Sequence, residues 1–249
     1  MVIPPKEIDK ALARAEPLFS KLQTLYQRLP DTRCRCDQAG RCCVYIPEMT
    51  WLEALQWFAE IKSRPREEKT GLVREFVSFY LTNPVRAAHC PFLNNGSCGS
   101  YQRRTFACRA YGIWSPKTGR RRTRENRRNQ QKLLKAWKKF GVYLPHEALA
   151  SEMEYCNHVE VCAAGRPPDT EIFGLLEQVY SLDAELADPG KWFETVCHSD
   201  FSFLIASLVL GSRKAVLGKF AVVKEIVQKG TDTRLTRFLG NITEGGSPI

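Results

Sequence analysis

The sequence predicts a mainly α fold, with irregular cysteine-rich metal-binding loops packed between helices and a C-terminal helical region. Three observations predict it. Apolar residues recur at helical spacing along much of the chain, extended alternation is scarce, and nine of the ten cysteines fall into three short non-periodic stretches. At 249 residues and 43% hydrophobic content the chain can bury a core without disulfide staples.

Residues 6–29 carry Ile8, Leu12, Ala15, Leu18, Leu22, Leu25 and Leu29 near the helical period, and Pro30 closes that helix. A first cysteine loop follows, CRCDQAGRCC from Cys34 to Cys43. Thr50-Trp51-Leu52-Glu53 has the form of a capping box, which starts a helix through Leu55, Phe58 and Ile61 that stops near Pro65. A third helix spans 66–81, with Leu72, Phe76, Phe79 and Tyr80, and ends at Asn83-Pro84. Residues 90–112 form a second cysteine loop, turning most sharply at Asn95-Gly96. The basic segment 117–139 comes next, with Gln130 to Phe140 as its helical tail. A third loop holds Cys156 and Cys162, and Gly165-Arg166-Pro167-Pro168 marks a boundary. Helices are expected at 169–187, 191–211 and 213–229, before a frayed tail. The organisation read from this is an N-terminal helix (1–30), a cysteine-cluster core (31–165) with the basic insertion 117–139, and a C-terminal helical region (166–249).

Charge is concentrated. Of 37 Lys and Arg against 27 Asp and Glu, eleven bases and one acid, Glu125, lie between Lys117 and Lys139, leaving 26 of each sign elsewhere. Charge by Lys6 and the lack of an apolar h-region predict no signal peptide. The apolar run Phe201 to Leu210 is too short to cross a bilayer. The expectation is a cytoplasmic chain under reducing conditions, where many cysteines point to metal or redox chemistry before disulfides.

The cysteines form three groups: Cys34, Cys36, Cys42 and Cys43; Cys90, Cys98 and Cys108; Cys156 and Cys162. Thiolates suit zinc or iron–sulfur clusters and suit calcium or magnesium poorly. The spacings C-x-C-x5-CC and C-x7-C-x9-C match neither paired zinc knuckles nor ferredoxin patterns. Helices between the loops could fold back and bring the groups together. Cys197 in TVCHSDF suits burial as a small apolar side chain. Among the four histidines, His158 shares a loop with Cys156 and Cys162 and is the candidate ligand or proton relay.

Gly40-Arg41-Cys42-Cys43, the helix start at Thr50–Glu53, Cys90-Pro91-Phe92-Leu93, Cys98-x-x-Tyr101-x-x-Arg104 and Cys108-Arg109 together resemble the YkgJ-type cysteine-cluster family over about residues 34–112. That family is described as zinc- or iron-chelating, with some members treated as iron–sulfur oxidoreductases. The chain departs from its pattern in the C-x-C opening, which leaves Cys34 and Cys36 as alternatives, and in Thr105, where the family has proline. The resemblance does not reach Cys156, Cys162 or Cys197.

The matched residues also have direct physical readings. Pro91 stiffens the chain beside a ligand, and Phe92-Leu93 supply a wall against water. Tyr101 can donate to a sulfur, while Arg104 and Arg109 can offset thiolate charge. Three functions follow as expectations. The first is an iron–sulfur or zinc protein, with iron–sulfur slightly preferred through the resemblance, working with a redox or other protein partner. The second, from the resemblance alone, is a cluster-dependent protein-modifying enzyme like flagellin lysine methylase, although no nucleotide or S-adenosylmethionine loop is present. The third is a zinc-stabilised adaptor in which Arg120, Arg121, Arg122, Arg124, Arg127 and Arg128 meet nucleic acid or an acidic partner.

Overall fold

The helical periods read from the sequence become nine α-helices in a computed structural model that describes residues 5–35, 40–145, 156, 158–162, 165–186 and 200–244. In chain order they are α1 (Pro5–Tyr26), α2 (Trp51–Ser63), α3 (Arg66–Thr82), α4 (Phe106–Ala110), α5 (Pro116–Lys139), α6 (Asp169–Glu185), α7 (Phe201–Leu210), α8 (Ser212–Lys229) and α9 (Thr233–Glu244). Four short strands accompany them: β1 (Thr32–Cys34), β2 (Leu93–Asn94), β3 (Ser97–Cys98) and β4 (Val159–Val161). The chain is mainly helical, as expected. Among the described residues no single helix is long and apolar enough to cross a membrane.

Two helical layers meet. On one side α1 packs against α2 and α6; on the other α3 packs against α7, α8 and α9. Between them lies a knot of aromatic rings. Phe201, the first residue of α7, sits 5.1 Å from each of Trp57, Phe58 and Phe76, centroid to centroid. Phe92 joins the same knot at 4.9 Å from Trp57 and 5.3 Å from Phe76. Edge-on ring pairs of this kind add to area burial. One continuous core thus runs from Ile8 in α1 to Ile242 in α9, and the second cysteine loop is pinned to it by a ring.

Several elements differ from the sequence reading. The arginine run is helical: α5 is one 24-residue helix from Pro116, not a loop with a helical tail. Ser115 caps it, and Asp169 at the start of α6 accepts from the Ser115 amide and hydroxyl and from the Thr118 hydroxyl, at 2.8, 2.5 and 2.6 Å. The last helix, α9, has no counterpart in the expected elements; Leu235 and Ile242 bury its apolar stripe. The segment 191–199, expected to begin the helix that ends near 211, lies outside the described residues. The helix there starts at Phe201, where the Asp200 carboxylate accepts from the amides of Ser202 and Phe203.

The capping box at Thr50–Glu53 is present, and its carboxyl reaches further than a cap requires. Oε2 of Glu53 accepts from the Thr50 amide (2.8 Å) and hydroxyl (3.2 Å), while Oε1 accepts from the Tyr26 hydroxyl (2.6 Å) and the Phe106 amide (2.5 Å). Glu53 is only 3% exposed. One buried side chain therefore joins the end of α1, the start of α2 and the start of α4. Removing it leaves a buried phenol and a buried amide unpaired. Glu53→Ala should lower the unfolding free energy by about 2–6 kcal/mol in urea titration, for two buried donors left unpaired, against at most about 1 kcal/mol for the exposed pair removed by Lys21→Ala.

Candidate metal centre

Each matched motif becomes a specific local structure. Gly40 has φ of 84°, in the left-handed region, and leads into a single 3-10 turn, Arg41–Val44, that carries Cys42 and Cys43. The positive φ favours glycine at this position, and a Cβ there would also displace the Leu93 methyl that lies 2.5 Å from it, so Gly40 suits the close approach of the first loop to the second. Asn95 and Gly96, both with positive φ, form the two-residue turn of the β2–β3 hairpin, which sets Leu93 opposite Cys98. The Cys90 amide donates to the Cys43 carbonyl at 2.5 Å, and the Gly99 amide to the Phe92 carbonyl at 2.7 Å. Cys108 lies in α4, where the Thr105 hydroxyl accepts from its amide at 3.4 Å.

Cys42 and Cys43 of the first group are thereby brought to the second group. Cys42, Cys43, Cys90, Cys98 and Cys108 are near enough for their ionisations to interact. Cys42 and Cys43 behave as a pair: a hydrogen bond from the Cys43 thiol holds Cys42 below the ordinary thiol range, and the same bond, burial and the neighbouring thiols push Cys43 far above it. Burial pushes Cys90 up to about 12, with Cys108 and Cys98 adding to it. Burial likewise pushes Cys108 up to about 11, against the Thr105 hydrogen bond and the charge of Arg104. The charge of Arg104 lowers both Cys42 and Cys108.

Tyr101, Arg104 and Arg109 form a brace. The Arg104 guanidinium lies 3.7 Å over the Tyr101 ring, which stays 51% exposed. Arg109 donates to the carbonyls of Arg104 (2.9 Å) and Gln102 (2.6 Å) and covers the Tyr26 ring at 4.6 Å. Its visible role is to hold the turn before α4 against α1. Phe92 is buried in the aromatic knot, and Leu93 covers Gly40, so the wall expected from CPFL is built by two different contacts.

The third group enters through a ladder that the sequence reading did not foresee. β1 pairs antiparallel with β4, matching Thr32 to Val161, Arg33 to Glu160 and Cys34 to Val159. Arg35 extends it through the His158 carbonyl (2.8 Å) and an ion pair to Glu160 (2.6 Å). Val159 in turn presses on Gly112, where a Cβ would come within 2.4 Å and φ is 85°. Described parts of the three loops thus touch, the first and third through the ladder and the second through Gly112. Within the ladder, Cys34 faces Val159 while the Cys162 amide donates to the Asp31 carbonyl, which sets these two exposed thiols at opposite ends and on opposite faces. His158 is exposed, and Cys156 is half-buried. Cys36, Cys197 and His198 lie outside the described residues.

Among the described residues, no group of three or more His, Cys, Asp and Glu already stands in an arrangement that could hold a metal ion. What the chain builds is a neighbourhood of five thiols with a cation, Arg104, beside it. Comparison with family models, curated proteins and solved structures gave no match for this chain. The likeness to cysteine-cluster proteins accordingly rests on the motifs themselves.

The thiol shifts have a pH consequence. Cys90 and Cys108, raised from 9.0 to about 12 and about 11, keep protons in the folded state that the unfolded chain releases. Their contribution to stability is full below pH 9 and is lost as pH rises through 11 and 12. In reduced, chelated protein, urea midpoints should fall between about pH 8 and pH 11, and fall less in Cys90→Ala/Cys108→Ala. Equal pH slopes in the two proteins would contradict the burial of these thiols.

Proposed function

We propose that this chain is a cysteine-cluster protein that holds a thiolate-bound metal, an iron–sulfur cluster in preference to zinc, between the Cys42–Cys43 turn, the Cys90–Cys98 hairpin and Cys108. The observation that carries the reading is the convergence of these five thiols from two distant loops, joined by the Cys90–Cys43 backbone bond. The donor set fits soft metals, because thiolates dominate it. Crowding argues the same way: several ionised thiols this close repel one another unless a cation replaces their protons. The preference for iron comes from the motif resemblance.

The residues around the thiols have definite tasks under this reading. Arg104 offsets negative charge between Cys42 and Cys108, Arg109 fixes the turn that carries Arg104, and Phe92 with Leu93 keeps water from one side. When bound, a cluster would supply one-electron transfer and zinc would supply structural cross-linking. Cys34 and Cys162, at opposite ends and on opposite faces of the β1–β4 ladder, do not form one donor set with each other, and Cys36, Cys156 and His158 remain expected donors that this reading does not use. A reducing, cytoplasmic setting belongs to the same proposal, since the thiols must stay reduced. The protein-modifying alternative has resemblance alone behind it and gains no support from a nucleotide-binding loop.

Anaerobic purification followed by visible spectroscopy and determination of iron, zinc and sulfide per chain tests the reading. A brown protein with iron and sulfide is the expected result, and stoichiometric zinc would preserve the thiolate site while removing the redox role. Cys42→Ser, Cys43→Ser and Cys108→Ser should each release metal, while Cys197→Ser keeps it. Saturating metal at about a hundred times its Kd should add about 2.7 kcal/mol to the chelated protein. A metal-free chain that folds and takes up neither metal would overturn the reading.

A further inference from the structure

The strongest feature outside the thiol neighbourhood is the solvent face of α5. The helix is tied down along one line. Gly119 is buried, Gln130 donates to the Tyr45 hydroxyl at 2.8 Å, and Trp137 stacks flat on Phe220 with 5.6 Å between centroids. On the opposite side Lys117, Arg121, Arg124, Arg128, Lys132, Lys135 and Lys139 follow one another at intervals of three and four residues, and all seven are exposed. At about 100° and 1.5 Å per residue, they fill an arc of about 80° along about 33 Å.

That row opposes the stability of the helix that carries it, because like charges at these spacings destabilise a helix by about 0.2–0.5 kcal/mol per pair. Little within the fold offsets it. Among the described residues only Arg121 of the seven has an ion pair, to Glu125 at 3.9 Å between exposed groups. Docking of α5 uses the other face, so the fold does not need the row. Arg122, which lies over Trp114 at 4.4 Å, belongs to the docked side and is not part of it.

We propose that this face binds the phosphate backbone of single-stranded nucleic acid. From Pro116 to Gln131 the helix contains no Leu, Ile, Val, Met or aromatic residue, so its first turns have nothing to bury in a lipid surface. Two rings stand open where the row ends: Phe140 is 67% and Tyr143 68% exposed, and Lys138 Nζ lies 5.9 Å from the Tyr143 ring centre. A charged track ending in two largely exposed rings, Phe140 edge-on to Phe220 at 5.6 Å and Tyr143 beyond it, is an arrangement that can hold backbone and bases of a single strand together without reading sequence. The proposal is independent of the metal reading.

The test is fluorescence anisotropy of a labelled oligothymidine of about twenty residues, titrated with the full-length protein over a range of salt. Seven contacts predict a slope of about −5 for log affinity against log salt. Arg124→Gln/Arg128→Gln/Lys132→Gln should reduce that slope by about 2 and weaken binding at least about tenfold at low salt. The Arg124→Lys/Arg128→Lys/Lys132→Arg variant should keep both slope and affinity. Phe140→Ala/Tyr143→Ala should weaken binding with the slope unchanged. Helix content by circular dichroism and metal content are measured on each variant, so that failure here and failure of the metal reading are told apart. No binding at low salt, or an unchanged slope in the Gln variant, would overturn the proposal. So would equal affinity for poly-glutamate, which would assign the face to an acidic protein, or tighter binding to phosphatidylserine vesicles.

Discussion

The carboxyl group of Glu53 is the constraint on which the remaining architecture depends. A buried carboxyl must find donors, and here they come from three separate places: the Tyr26 phenol at the end of α1, the Thr50 amide and hydroxyl at the start of α2, and the Phe106 amide at the start of α4. Those three points fix where the second cysteine loop ends. Phe106 lies two residues before Cys108, and Arg109 reaches back over the Tyr26 ring that also serves Glu53. Burial and the Glu53 charge accordingly push the Tyr26 phenol well above its ordinary range. The loop is held at its other end by Phe92 in the aromatic knot.

With both ends held by the helical core, the thiols are gathered by the fold. The hydrogen bond to Cys42, with burial, keeps Cys43 protonated near neutral pH, and burial does the same for Cys90 and Cys108, while Cys42 is eased toward the thiolate. Such an arrangement is stable with its protons and poorly stable with bare charges. A metal entering it would displace protons, so uptake should be pH-dependent and coupled to stability. The charge of Arg104 acts on thiols of both loops. The basic face of α5 obeys a different logic, since its charge stays in water and is screened by salt.

Local signals were legible in the sequence, and non-local ones were not. The apolar stripe of α1, the Thr50–Glu53 box and the Asn95-Gly96 turn each depend on neighbours within a few residues, and each appears where its pattern puts it. The start of α5 was a local signal, Ser115 before Pro116, that the arginine run after it hid because it carries no apolar period; the Asp169 bonds to Ser115 and Thr118, 54 and 51 residues away, were beyond reach. The β1–β4 ladder was invisible, since three residues per strand carry no period and the pairing crosses most of the chain. α9 had a readable stripe in Leu235, Phe238, Leu239 and Ile242, but the polar tail after it masked the pattern. Glu53 was visible as a cap; its bonds to Tyr26 and Phe106 were not. The motif order indicated that two cysteine groups belong together, and the Cys90–Cys43 bond gives that its physical form.

If the scaffold builds the thiol neighbourhood, it must exist without metal. Amide hydrogen exchange of the reduced, chelated protein, followed at Cys90, Phe106 and Gly99, tests this most directly. The account predicts protection at all three close to that of the Phe58 and Phe76 amides in the core, and a joint loss of that protection in Glu53→Gln while α8 stays protected. Fast exchange at Cys90 and Phe106 in the chelated wild type, restored only by metal, would contradict it and make the metal the organiser of the loops.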